Sequence, residues 1–237
     1  VANSYFRFKQ FLIKQDQCAM KVCTDSCVLG AYAHVASARR ILDIGAGTGL
    51  LSLMVAQRAE EAQIEAVEID PAAAAQAQEN IAQSPWADRV KLFPVSLQEF
   101  AATQPTPYDV IISNPPFFQA SLKSTDTIKN QAKHTETLAF SEIISFAHQF
   151  LAPEGKLHIL LPPHEAKVFE AEAQAHGFHS QHILWLEATP GGKLLRAIHT
   201  YAQQATPLTQ KTLPVREKDN SYTLSFRNLL QDYYLIF

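Results

Sequence analysis

The chain has 237 residues, 47% hydrophobic and 18% charged, with a net charge of −3. That length can bury a full core, and the composition excludes a disordered or fibrous protein. No apolar run reaches the roughly 18 residues of a membrane helix. Positions 1–14 alternate aromatic and basic residues and lack the apolar centre of a secretory leader, so the cytosol is the expected location.

Residues 5–13 alternate like a strand or hairpin arm, and 25–36 read as a helix. Together, positions 1–40 are expected to form a lid over the carboxyl end of a sheet. Cys18, Cys23 and Cys27 fall in this stretch. With His34 they could be read as four zinc ligands, but the paired C-x-x-C knuckles of structural zinc are missing, so free thiols and no metal are expected.

From residue 40 onward, short β-branched runs alternate with helical stretches. The runs fall at 40–44, 64–69, 90–95, 110–113, 156–161, 182–186 and 197–202; the helices at 50–60, 71–84, 141–151 and 165–176. This alternation predicts an α/β fold with a mostly parallel, seven-stranded sheet covered on both faces. The last two runs have no long helix between them and are expected to pair antiparallel at the sheet edge, with Pro190, Gly191 and Gly192 turning the chain. No linker divides the chain, so 41–237 form one core that the lid joins in a single domain.

The first run leads into Asp43-Ile44-Gly45-Ala46-Gly47-Thr48-Gly49 and a helix. A glycine turn between a buried strand and a helix lets backbone approach a ligand where side chains would collide. A dinucleotide fingerprint would need glycine at Leu50, and a P-loop would need Gly-Lys-Ser/Thr. Glycines at 45, 47 and 49, with an acid two before the first, instead resemble the loop of Rossmann-like methyltransferases. Glu68, at the end of the second run, can accept both hydroxyls of a ribose. Asp70 competes for that role but falls where the next helix starts.

The fourth run ends in Ser113-Asn114-Pro115-Pro116-Phe117, at the carboxyl end where doubly wound sheets bind ligands. An exocyclic amine on a base is a poor nucleophile because its lone pair is delocalised into the ring. The Asn114 side-chain oxygen and the Pro115 carbonyl can hold its two hydrogens and aim the lone pair. Pro116 stiffens the turn and adds no competing N–H, and Phe117 can stack on the base. Positioning, rather than a strong base, supplies the effect.

At this point the sequence resembles the Asn-Pro-Pro-aromatic class of amino-group methyltransferases, and more narrowly the bacterial valine-tRNA adenine-N6 methyltransferases. The narrower likeness runs through Phe8-Lys9-Gln10-Phe11, Met20-Lys21-Val22 with Thr24-Asp25, and Leu42-Asp43-Ile44-Gly45. It continues at Ala77-Gln78-Glu79-Asn80 with Ser84-Pro85-Trp86, Asn114 to Phe117, Lys133-His134-Thr135 with Leu138, and Tyr233-Tyr234-Leu235. The resemblance implies S-adenosylmethionine as cofactor and the adenine 3′ of a tRNA anticodon as target. It also implies that Thr24 and Asp25 approach the cofactor's methionine end, while Asn114 to Phe117 grip the base. Where such enzymes often carry an acid for the cofactor's adenine, this chain has Ser96, so Ser96 or the Leu97 backbone is the expected partner.

Basic excess lies at the ends. Residues 1–40 hold six Lys/Arg against two acids and 193–237 six against three, whereas 41–120 hold three against ten. Termini that meet a polyanion would look like this, with Lys9, Lys14, Lys21 and Lys133 as the first candidates for phosphate contacts. A release-factor glutamine methyltransferase would carry a longer preceding helical domain. A ribosomal-RNA guanine-N2 methyltransferase would commonly carry a duplicated second domain. A non-enzymatic RNA-binding scaffold would show a damaged loop or tetrapeptide. A monomer is favoured over a dimer.

Overall fold

The structure is a computed structural model, described here for residues 3–18, 20–116 and 138–237. A short antiparallel hairpin, β1 (Tyr5–Arg7) and β2 (Leu12–Lys14), precedes helix α1 (Thr24–Tyr32). Then follow β3 (Arg40–Ile44), α2 (Leu50–Arg58), β4 (Gln63–Val67), α3 (Pro71–Ala82), β5 (Val90–Phe93), α4 (Leu97–Ala102) and β6 (Tyr108–Ser113). After the undescribed stretch come α5 (Phe140–Phe150), β7 (Leu151–Leu161), α6 (Pro163–Ala175), β8 (His179–Glu187), β9 (Leu194–Ala202), β10 (Thr209–Pro214) and α7 (Leu224–Leu230).

The large sheet has the order β10-β8-β9-β7-β6-β3-β4-β5. Among the described residues it therefore has eight strands rather than the seven expected. The extra one, β10, reads Thr-Gln-Lys-Thr-Leu-Pro and buries only Leu213; an edge strand with a single inward apolar residue leaves no alternation to find. β9 runs antiparallel to both β7 and β8, as the missing crossover helix requires, while β10 runs parallel to β8. The reversed strand is thus interior, and β10 forms the edge.

Two apolar layers sandwich the sheet. On one face Ile41, Ile64, Val110, Leu160 and Ile198 pack with α1, α2, α3 and α7. On the other, Leu42, Ile111, Leu157 and Ile159 pack with α4, α5 and α6. The alternation of Ile41 and Leu42 between the two layers is the period-2 geometry of a strand covered on both sides. α1 belongs to the first layer: a Cβ on Gly30 would lie 2.8 Å from Met54 Cβ, so glycine sets how closely α1 approaches α2.

The hairpin is fastened by buried polar groups on α3. Asn80 accepts from Lys14 N at 2.9 Å and donates to Lys14 O at 3.0 Å and to Thr48 O at 2.9 Å. Gln76 accepts from Gln17 N and donates to Asp16 Oδ1. One helix face therefore joins the segment around residues 14–17 to the glycine loop. The chain end closes the other side, where Lys9 N donates to Tyr233 O and the Tyr233 hydroxyl to Met54 O.

Candidate active site

β3 and β6 lie side by side, and Ile44 pairs with Ser113. The chain leaves β3 toward β4 on one side and leaves β6 toward β7 on the other, so the sheet changes winding direction between them. This is the topological switch point, where strand ends splay apart and leave a crevice. The glycine loop and Asn114 emerge together there, tied by Ser113 Oγ donating to Ile44 O at 2.7 Å.

A cavity of about 640 Å³ occupies this crevice. Of the residues expected from the sequence, Gly45, Gly47, Glu68, Ser96, Leu97, Asn114 and Pro116 line it; Thr24, Asp25, Asp43, Gly49 and Pro115 do not. Phe117, like Lys133, lies outside the described residues.

The loop glycines have φ of +73°, +55° and +79° at Gly45, Gly47 and Gly49, in the left-handed region where a side chain costs strain. At Gly45 a Cβ would meet nothing within 4 Å, and at Gly47 only Cys18 Sγ at 3.8 Å. The loop thus presents bare backbone to open cavity. Gly45 N and Ala46 N donate to Val67 O, which fixes the loop to β4.

Glu68 is buried and braces the turn. Its Oε2 accepts from Gly47 N at 2.8 Å and its Oε1 from Asp70 N at 2.9 Å. Each carboxylate oxygen has a further lone pair to offer the cavity. Asp70 caps α3, accepting from Ala73 N at 2.7 Å, with Pro71 following at the first helical position. Both acids line the cavity, but the Asp70 carboxylate is engaged by the cap.

Asp43 is fully buried beneath the loop and holds α2: its Oδ2 accepts from Ser52 N at 3.0 Å and Ser52 Oγ at 2.6 Å. Burial pushes its carboxyl up to about 7, and the charge on Glu68 acts in the same direction. Ser96 caps α4 in a reciprocal capping box with Glu99, so its hydroxyl is held by Glu99. Leu97 starts that helix, where an N–H has no intrahelical acceptor.

Asn114 is the most informative side chain. Its Nδ2 donates to Ser26 Oγ at 2.7 Å, while its Oδ1 is buried and has no hydrogen-bond partner among the described residues. Asp25 Oδ2 lies 2.8 Å from Arg196 Nε. The segment around α1 therefore touches Asn114 through Ser26, while Thr24 and Asp25, to which the resemblance pointed, are not among the residues lining the cavity.

Sequence reasoning also missed Gln17, Cys18 and Met20, which line the cavity from the segment between β2 and α1, and Gln98 and Glu142, which line it from α4 and α5. The Gln76 and Asn80 anchors on α3 carry part of that signal. Among the described residues no group of three or more His, Cys, Asp and Glu could hold a metal.

A model of the methyltransferase small domain family matches residues 21–168. A tRNA1(Val) (adenine(37)-N6)-methyltransferase of Dyadobacter fermentans is 48% identical over 239 residues, covering 99% of this chain and 99% of the relative. One of the same description from Serratia proteamaculans is 41% identical, covering 98% and 90%. The chain belongs to this methyltransferase family. It is an S-adenosylmethionine-dependent enzyme. The methyltransferase also superposes on a solved Agrobacterium tumefaciens protein described as a predicted O-methyltransferase, with a TM-score of 0.67 and 21% identity. That match covers 88% of this chain and 96% of the other, and it speaks for the fold alone.

The site fits the cofactor. The left-handed glycines leave room beside bare backbone, and Glu68 offers acceptors at the end of β4. Val67, Ile69, Val95 and Leu97 add an apolar wall suited to a nucleoside face.

Proposed function

We propose that this methyltransferase acts on the N6 amine of the adenine 3′ of the anticodon in a valine tRNA; its relatives are named for N6 methylation of adenine 37 in tRNA1(Val). The observation that carries this reading is the buried Asn114 Oδ1 beside the cavity, without a hydrogen-bond partner among the described residues. A buried acceptor without a donor costs about 1–3 kcal/mol, and an incoming amine hydrogen satisfies it.

Asn114 Oδ1 takes one hydrogen of the amine; the other is assigned to the carbonyl of Pro115, which sits between the lining residues Asn114 and Pro116 without lining the cavity itself. With both held, the nitrogen is drawn toward a pyramidal shape whose lone pair is free. When bound, S-adenosylmethionine supplies an electrophilic methyl group. Gly45 and Gly47 would admit it past bare backbone, Glu68 would accept from its ribose, and the Leu97 N–H would serve its adenine. Ser96 stays in its cap and gives shape to the wall. Phe117 closes the tetrapeptide Asn114-Pro115-Pro116-Phe117 and is assigned to stacking on the base. A purine with a carbonyl at this position offers Asn114 Oδ1 no hydrogen, so adenine is selected over guanine. An anticodon loop is unpaired, so extruding its base costs little. Both halves of the site come from one chain, so a monomer acting in the cytoplasm suffices.

The test is methylation of unmodified tRNA with labelled cofactor, followed by nucleoside analysis. N6-methyladenosine is expected, and Asn114→Ala should lower turnover by about 10²-fold while cofactor affinity holds. N2-methylguanosine as the product, or transfer to the glutamine of a release-factor peptide with none to tRNA, would overturn the assignment.

A further inference from the structure

Both hydrogens of the Asn114 amide point at the protein. Nδ2 donates to Ser26 Oγ at 2.7 Å and lies 3.7 Å from Met20 Sδ. A hydroxyl can rotate to serve either end of an amide, so Ser26 alone would not fix its sense. A thioether has only lone pairs and cannot donate. Reversing the amide would set Oδ1 against the Met20 sulfur, lone pair against lone pair. The favoured sense leaves Oδ1 as the end without a partner among the described residues.

Ser26 is itself held firmly. It is 5% exposed, on a helix whose next five residues are buried, and its Oγ lies 3.0 Å from Cys23 Sγ. We propose that Ser26, assisted by Met20, is a positioning residue that locks the Asn114 amide with its oxygen toward the target base, so that the site accepts an amine and rejects a carbonyl. The proposal rests on the reading of Asn114 given above. A reversed amide would present N–H to the base and favour a ring carbonyl, which is the wrong partner for methylation at an exocyclic nitrogen.

A double-mutant cycle tests it, using Ser26→Ala, Asn114→Ala and the double variant. Single-turnover methylation of a tRNA transcript is read beside calorimetric S-adenosylmethionine affinity. Ser26→Ala is expected to slow methyl transfer by about tenfold with cofactor affinity unchanged, and to cause no further loss in the Asn114→Ala background. Ser26→Thr, which keeps the hydroxyl, should restore most of the rate. Met20→Leu alters the same anchor at an exposed position, so it keeps the test open should Ser26→Ala fail to fold; it should slow transfer by about threefold. Equal losses from Ser26→Ala in both backgrounds would overturn the proposal, as would a full rate in Ser26→Ala or in Met20→Leu. A full rate in Asn114→Ala would instead overturn the reading on which it rests.

Discussion

Asp43 is buried, carries two hydrogen bonds from Ser52, and has its carboxyl pushed from 3.8 up to about 7, chiefly by burial. In the unfolded chain the same group ionises near 3.8. Between about pH 4 and 7 the unfolded chain therefore gives up a proton that the folded chain keeps, and stability falls as pH rises through that window. At about 1.4 kcal/mol per pH unit, the interval from 3.8 to about 7 amounts to about 4 kcal/mol. Asp43→Asn keeps an oxygen for Ser52 and removes the titration. Two buried imidazoles work in the opposite direction: burial lowers His158 to about 3 and His199 to about 4, so their contribution is lost as pH falls below the usual histidine value. Both chains share those histidines, so they cancel when wild type and variant are compared. Urea unfolding of the two chains should show the variant gaining about 3 kcal/mol on wild type between about pH 4.5 and pH 7.5. A difference that stays constant to within about 0.5 kcal/mol would refute an elevated Asp43.

Gly47→Val forces a branched side chain into a backbone φ of +55° at the cavity wall; calorimetry should show S-adenosylmethionine affinity falling by about tenfold or more in a chain that still folds. Glu68→Ala removes an acceptor from two loop N–H groups and from the ribose, so cofactor binding should weaken by about 1–3 kcal/mol. Asp70→Ala should instead cost about 1 kcal/mol of folding stability through the lost cap; a larger affinity loss at Asp70 would move the ribose assignment there. Lys9 Nζ donates to the Gln231 and Phe237 carbonyls, and Lys14 pairs with Glu79. Lys9→Ala should therefore lower stability by about 1 kcal/mol and leave the salt slope of tRNA binding unchanged. Lys21 is exposed, and Lys21→Ala should reduce that slope by about one, as measured by filter binding over a salt series.

How far the site could be read in advance depends on how local its physics is. The glycine loop and Asn114-Pro115-Pro116 were legible because a strand-turn-helix and a strand-end turn are written in consecutive residues, and the parallel sheet then had to bring their carboxyl ends together. β10 was not legible, because an edge strand with one buried side chain carries no period. Lys9 and Lys14 read as a basic terminus, yet the partners that occupy them lie 222 and 65 residues away in sequence, and no composition count contains those distances. The same holds for Ser26. It stands beside Thr24 and Asp25, and nothing in its neighbourhood sets it apart. It gains significance only when α1 packs into the layer against α2 and sets its hydroxyl against an amide 88 residues further on. A motif names the groups that meet the substrate. The side chains that decide which way those groups face come from tertiary packing, and for Asn114 they come from a helix that the motif does not include.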